Sequence, residues 1–592
     1  MAIASTAPTV AEGATDPRPT LATRVPRFVR RPIGLSLASA ALLWLSFPPM
    51  GWHAAAWVAL VPLLLVVADP RPRRKRSIVA AGLIGGFAFW LLAVRWILVI
   101  DPSAWAGWLA MAFALGLFWL TFVGASRWVV RRTALPLTVV APVAWVGLEY
   151  LRAHVLTGFP WYYLAHTQYR QIYWTQIADF AGSLGLSFLI VLVNALIVEL
   201  VLPSLVPGPA AAEPAGRGRI PVRVWVRSGL VVASAVGTLG YGAYRVGSAS
   251  FRDGPRVAML QLNEDQHYDP KLRKSSHVIY QTLTQMVDNA ARSRARPDLI
   301  VWPETAFPYG MVTIDPDLTP KMLGEQAKLY DDEAIPEDIK LKQTRSDAEL
   351  RRLIEQYRIP MMIGLTTYRF ATSGFARFNS SVLFRPGMEP QSYHKLHLVP
   401  FGEYVPLVDV FPWLTSLTPY DAASMPTLKF GAAPAWFDLD GHRLAAAICF
   451  EDTVPHVVRR FFSEVPDGDQ PDLIVNLSND GWFHQTEEHE MHLAVSTFRC
   501  IENRAPMARA VNTGTSAMID GNGAIVASLR PNTQGVLAAV APLDDRTSLY
   551  SRWGDWLGQV TLAGTIGFVV LGAIAPRRPA TPDPTAASDP AA

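Results

Sequence analysis

Three stretches of the sequence set an ionisable side chain at the end of a short apolar run. They are LIVWPETAFP with Glu304, QSYHKLHLVPFGEYVP with Lys395 and Glu403, and AAAICFED with Cys449. A carboxylate, an amine and a thiol make a coherent set of base, electrostatic stabiliser and nucleophile. Each alone has an ordinary reading: a buried cysteine is a small hydrophobe, a lone glutamate a surface acid, a lysine in HKLH a surface charge. The three together, each at a strand end, are far more specific. A free thiol has a pKa of about 8.5, and the neighbouring Glu451 and Asp452 would raise it further. A reactive Cys449 would therefore need a proton acceptor and a positive charge close by, roles that a carboxylate such as Glu304 and an amine such as Lys395 can fill.

Other residues carry weaker signals. EEHEMH contains His489 and His492, three apart, so the H-E-x-x-H zinc pattern is not met and surface or groove histidines are expected. Glu149 and Arg152 in GLEYLRAH fall at the expected outer end of the fifth apolar segment, where an intramembrane charge is a functional candidate, or where the two would only snorkel or pair with each other. Cys500 lies in an amphipathic helical pattern and reads as packing. With Cys449 it could form at most one disulfide, never a disulfide framework. No G-x-x-x-x-G-K-[ST] phosphate loop occurs, and neither a cofactor nor a metal is expected.

The elements that must position these groups fall into two kinds. Half of the 592 residues are hydrophobic, with 19 tryptophans, although 17% are charged, so the apolar residues must be concentrated. Apolar segments recur at Ile33–Pro48, Trp52–Ala68, Ile78–Ile100, Trp105–Val123, Leu137–Tyr150, Leu184–Leu205, Ser228–Val246 and Trp556–Ile574. Several approach the ~20 residues needed to cross hydrocarbon. Basic blocks at Arg71–Arg76, Arg127–Arg132 and Arg217–Arg227 follow every second segment, and both tails are basic too. The positive-inside rule then puts both termini in the cytoplasm and the long segment between the seventh and eighth spans outside. The net charge of +4 is small and its basic residues flank apolar runs, which gives no case for nucleic acid.

The long segment has a different texture. RVAMLQL, PDLIVWPE, PMMIGLTTY, SSVLFRPG, RLAAAICFE, PDLIVNLSND and GAIVASL read as strands. SSHVIYQTLTQMVDNAARSRA and MHLAVSTFRCIENRA read as helices, so an α/β domain is expected. No internal repeat is visible.

The contexts of Glu304, Lys395 and Cys449 resemble the nitrilase, or carbon-nitrogen hydrolase, superfamily. WPETAFP, KLHLVPFGEYVP, ICFED, NLSNDGWF and VNTGTSAMID together resemble the apolipoprotein N-acyltransferase family, as does TGFPWYYLAHTQ before them. The resemblance implies an α-helical membrane domain of about eight transmembrane helices plus an extracytoplasmic αββα sandwich. The expected divisions are 1–32 as a disordered cytoplasmic tail and 33–250 as a seven-helix membrane domain. The catalytic domain follows at 251–549, the last transmembrane helix at 556–575 and a cytoplasmic tail at 576–592.

The resemblance further implies Glu304 as general base, Lys395 as oxyanion stabiliser and Cys449 as nucleophile, with Glu403 supporting the lysine and Glu451 organising the pocket. Many members of the family have Tyr directly after the nucleophile. Phe450 here keeps the ring without the hydroxyl, and its backbone N–H could serve an oxyanion hole. The implied reaction passes an acyl chain from a membrane phospholipid through a Cys449 thioester to the amine of a diacylglyceryl-cysteine apolipoprotein. Converting an ester into an amide runs downhill and needs no nucleotide. The expected setting is the cytoplasmic (inner) membrane, as a monomer, and the aromatic TGFPWYYLAHTQYRQIYW loop would admit acyl chains or form an interfacial belt. A membrane-tethered amidase or nitrilase-type hydrolase would use the same three residues with water as acceptor. A transporter or scaffold with a lipid-binding external domain would have no need of all three.

Overall fold

The computed structural model describes residues 31–576 apart from 72, 206–221, 268–269, 409 and 418–427. The N-terminal basic tail up to residue 30, the basic stretch from Arg217 as far as residue 221 and the tail from 577 lie outside the described residues.

The apolar segments form helices, most of which pack around a large shared core, with a smaller cluster where the last helix meets Leu137–Arg152. Among the described residues five helices are long and apolar enough to cross a membrane: Lys75–Ala93, Pro102–Arg132, Ser183–Pro203, Val222–Gly247 and Trp556–Ile574. Three shorter ones, Pro32–Ser46, the broken segment His53–Ala68 and Leu137–Arg152, join the bundle. Several expected boundaries change, two of them for a clear reason. The basic residues Arg127–Arg132, expected in a loop, continue the helix that starts at Trp105. Arg127 is buried there and donates to the carbonyls of Val66 (2.7 Å), Val67 (3.2 Å) and Asp69 (2.8 Å). Those are the last carbonyls of the helix Val61–Ala68 and its C-cap, which have no partners within their own helix. The second segment breaks near Leu60, between the short helix Ala56–Ala59 and the longer one that has Pro62 in its first turn.

Two sheets make the second part of the chain. The first contains β1 (Arg252–Gln261), β2 (Leu299–Val301), β3 (Phe307–Ile314), β4 (Met361–Ala371), β5 (Gly374–Phe384), β6 (Gln391–His394) and β13 (Gly535–Leu543). Its order is β13-β1-β2-β4-β5-β6, with β3 against β4. The second contains β7 (Trp436–Leu439), β8 (His442–Ile448), β9 (Leu473–Ser478), β10 (Met507–Val511), β11 (Ala517–Ile519) and β12 (Ile525–Ser528), in the order β12-β11-β10-β9-β8-β7. The strands before Glu304 and Cys449 run parallel to their neighbours, β2 to β1 and β4 and β8 to β9, whereas β6, before Lys395, is an antiparallel edge strand on β5.

Side-chain alternation assigns the faces. Val257 and Met259 of β1, Leu299 and Val301 of β2 and Met362 of β4 share a core with Leu444, Ala446 and Ile448 of β8 and Val475 of β9. The alternate residues Ala258, Leu260, Ile300 and Ile363 pack against helices Ser276–Ala291 and Pro336–Tyr357 through Leu283, Met286, Val287, Leu350 and Leu353. Helices Pro455–Ser463 and Glu488–Asn503 cover the second sheet, giving an α/β/β/α layering.

Helix Glu488–Asn503 is buried on nearly every face, and its period explains why. Leu493 and Cys500 point into the sheet core, while Met491, Ala494, Phe498 and Ile501 belong to the core of the membrane bundle. Cys500 is therefore packing, and both cysteines are free thiols. A buried ionic cluster fixes the same junction. Arg504, just past the helix, donates to Asp179 at 2.5 and 3.0 Å and to Gln176 at 2.7 Å. Asp179 also accepts from Tyr241 (2.6 Å) and pairs with Arg245 (2.7 Å).

Candidate active site

The candidate residues occupy three strand ends. Glu304 follows β2, Lys395 follows β6 directly, and Cys449 follows β8 directly and opens the 3-10 turn Cys449–Thr453. Two of these turns use the left-handed region of backbone space, at Thr305 (φ 48°) and Cys449 (φ 49°). Non-glycine residues rarely sit there, and such strain collects at functional sites.

Glu304 reaches the site because β4 passes it with glycine. A Cβ on Gly364 would stand 2.1 Å from the Pro303 oxygen and 2.7 Å from the Glu304 Cα. Lys395 is fully buried. Its Nζ donates to Glu304 Oε1 at 3.1 Å and to Glu403 Oε1 at 3.0 Å. Asn379 on β5, for which sequence reasoning has no signal, completes this cluster: its Nδ2 donates to Glu304 (2.6 Å) and to Glu403 (2.8 Å). The backbone ladder supports the arrangement, since the Lys395 N–H donates to the Asn379 carbonyl at 2.9 Å.

Electrostatics follow from burial and charge. Burial raises the Glu304 carboxyl above its ordinary value, Lys395 opposes the rise and Glu403 adds to it. Burial acts to lower Lys395, but the carboxylates of Glu304 and Glu403 outweigh it and hold the ammonium well above its usual range. Burial, then the Glu304 charge, push the Cys449 thiol well up, while Lys395 pulls it down. The thiol thus rests protonated beside a carboxylate made unusually basic.

Glu451 acts by holding backbones together. Its Oε1 accepts from the Tyr393 hydroxyl (2.7 Å) and from the N–H groups of Leu396 (2.5 Å) and His397 (3.1 Å), and its Oε2 accepts from the Ile448 N–H (2.7 Å). One fully buried carboxylate so joins the chain after Lys395 to the residue before Cys449. Burial raises it to about 7. Phe450 packs against the membrane-bundle core and stacks on His397 with centroids 5.7 Å apart.

Beneath the Cys449–Thr453 turn lies a network in which Asp452, Asp480, His492 and Arg509 are all buried. Asp452 accepts from His492 (2.8 Å), Ser496 (2.7 Å) and Arg509 (2.8 Å), and Asp480 accepts from Ser478 (2.7 Å) and Arg509 (3.1 Å). This corrects the surface or groove reading of the histidines. His489 and His492 lie on the inward face of their helix, and Asp480 accepts from them through its backbone and its side chain. Although burial and Arg509 oppose protonation of His492, Asp452 and Asp480 hold it well above its ordinary value. Asp480, Glu488 and His492 stand close enough for a metal. A protonated His492 beside Arg509 supplies the positive charge instead.

Glu149 and Arg152 neither snorkel nor spend their hydrogen bonds on each other. Glu149 accepts from the Leu164 N–H and from Trp145, both at 3.0 Å. Arg152 donates to the carbonyls of Phe159 (2.8 Å) and Trp161 (2.5 Å). They fold the TGFPWYY loop inward, so Trp161, Tyr162 and Tyr163 are buried rather than presented as an interfacial belt. Gly158 (φ 78°) makes the turn, where a Cβ would meet the Ala153 oxygen at 2.0 Å. The remaining motifs close the site from below. Asn512 of VNTG donates to Asn479 of NLSND (2.8 Å) and accepts from the Glu264 N–H (2.9 Å), tying the ends of both sheets together.

Residues 39–196 match the profile of the apolipoprotein N-acyltransferase N-terminal domain, and residues 256–550 match that of carbon-nitrogen hydrolases. The apolipoprotein N-acyltransferase of Geobacter metallireducens is 32% identical over 93% of this chain and 96% of its own. That of Rhodopirellula baltica is 30% identical over 89% and 95%. The chain belongs to the apolipoprotein N-acyltransferase family. It is thus an acyltransferase of lipoprotein maturation and a membrane enzyme, and its apolar helices fit that class. Among solved structures, Saccharomyces cerevisiae Nit3, of the nitrilase superfamily, aligns with 52% of this chain and 96% of its own, at 16% identity and TM-score 0.34.

Proposed function

We propose that this enzyme moves an acyl chain from a phospholipid to the N-terminal amine of a diacylglyceryl-cysteine apolipoprotein through a thioester on Cys449. The observation that carries the mechanism is the buried Glu304–Lys395–Glu403 cluster, hydrogen-bonded through Asn379 and electrostatically coupled to the half-buried Cys449. Glu304 takes the thiol proton as sulfur attacks the ester carbonyl, and the Lys395 ammonium faces the developing oxyanion with help from the backbone N–H of Phe450. The C–O bond breaks, Glu304 returns its proton to the departing lysophospholipid alcohol, and the acyl group stays on sulfur. The incoming amine then attacks the thioester. Glu304 takes the amine proton, the C–S bond breaks, the amide forms and the proton returns to sulfur.

In this reading eight segments span the cytoplasmic membrane, the five long helices and the three shorter segments. The two tails lie in the cytoplasm and the 251–549 domain outside, where it works as a monomer. Both lipid substrates have their chains in the outer leaflet, so tethering the site there turns a search through volume into a search over a surface. The test is a transfer assay with a labelled phospholipid and a diacylglyceryl lipopeptide in proteoliposomes. Wild type should produce triacylated peptide, and Cys449→Ala and Glu304→Gln should not. Free fatty acid with no acylated peptide would mark a hydrolase instead. Undiminished transfer by Cys449→Ala would refute the thioester route.

A further inference from the structure

We infer that His154, His456 and Asp555 form a binding site for one divalent transition-metal ion of the zinc class. One ligand atom from each lies within 4.8 Å of the other two. The three come from distant parts of the chain. His154 stands just past the helix Leu137–Arg152, His456 in the first turn of Pro455–Ser463, and Asp555 immediately before Trp556–Ile574.

Each donor suits a metal. His154 Nδ1 lies 2.8 Å from the Tyr150 carbonyl, which can only accept, so the ring keeps its proton there and has Nε2 as its lone-pair atom. Metal-bound histidines are oriented by this kind of carbonyl hydrogen bond. His456 Nδ1 is buried with no hydrogen-bond partner among the described residues. An unmade hydrogen bond on a buried nitrogen is costly, and a cation would offset that cost. Asp555 Oδ1 accepts from the Tyr550 hydroxyl at 2.7 Å, which orients the carboxylate and leaves its second oxygen for an ion.

The donor mix selects the ion. Two neutral imidazoles and one carboxylate match the three-ligand sites of zinc, in which water fills the fourth position. Calcium and magnesium favour oxygen-only sets. The two imidazole rings stack at 4.6 Å, and His456 also meets His397 at 6.4 Å, whose ring lies on Phe450. A bound ion would therefore clamp the first helix after the nucleophile turn to two membrane helices at once.

The experiment uses the full-length protein in lipid nanodiscs, stripped with chelator and titrated with Co2+ as a spectroscopic reporter, then with Zn2+ in competition. The expected result is one equivalent of Co2+ with visible ligand-field bands, displaced by Zn2+, and a thermal transition raised by Zn2+. His154→Ala and Asp555→Asn each remove a ligand and should weaken binding by more than the ~10–100-fold that loss of a partner behind a ligand costs. His154 is exposed, so its variant tests ligation without disturbing the core. Absence of a stoichiometric Co2+ site, or binding unchanged in both variants, would overturn the inference. The titration does not depend on acyl transfer, so its outcome is separate from that of the catalytic reading.

Discussion

In the proposed mechanism Glu304 must be ionised when the thiol arrives and basic enough to take its proton, and its neighbours set both conditions. Burial raises its carboxyl, whereas Lys395 and the Asn379 amide favour the anion. A base with a raised pKa is active above that pKa and fails as pH falls through it, so the single-turnover acylation rate should drop on the acid side at a pH above the ordinary glutamate range. Asn379→Ala removes a hydrogen bond to the charged form, worth ~1.5–3 kcal/mol. It should move that acidic limb upward by about one to two pH units. A pH–rate profile of the variant checks the shift, and an unchanged limb would remove Asn379 from the site. Glu304, Lys395, Glu403 and Cys449 were legible in the sequence because each sits in a contiguous motif. Asn379, in the ordinary-looking ARFNSSVLF, was not, because its partners stand 75 and 24 residues away and meet only in the folded sheet.

Among the elements, β4 and β8 matter most for chemistry. Gly364 lets β4 pass the Glu304 turn, and Gly364→Ala places a methyl group into the Pro303 carbonyl. Moving the base by about 1 Å should cost on the order of 100-fold in kcat, with substrate binding little changed, as steady-state kinetics would reveal. Strands with continuous apolar runs were readable, including β1, β2, β8 and β9. β10 was not, because the buried Arg509 interrupts MARAV and reads as a surface break until Asp452 and Asp480 are seen beside it. The same limit applies to His489 and His492, whose burial depends on helix Glu488–Asn503 being enclosed by two separate cores. The aromatic loop follows the same logic, since only the fold shows Glu149 and Arg152 binding its backbone.

At the scale of the whole molecule, the catalytic layers and the helical bundle share a buried, ionic junction. Asp179 takes charge-assisted hydrogen bonds from Arg504 and pairs with Arg245, and Ser183 N–H donates to Glu502 at 2.9 Å across the same boundary. Asp179→Asn leaves Arg504 buried without its counter-charge. A broken buried pair typically costs ~3–5 kcal/mol, so the variant should unfold at lower temperature and lose activity with it, measured by thermal denaturation in detergent. A transition equal to wild type would mean that the junction holds without this ion pair.

The most direct measurement is intact-protein mass spectrometry after incubation with phospholipid and no amine acceptor, comparing wild type with Cys449→Ala. The expected result is a single acyl mass on wild type only, removed by hydroxylamine. An acyl mass that persists in Cys449→Ala, or wild type that releases lysophospholipid while carrying no hydroxylamine-labile adduct, would contradict a thioester on Cys449.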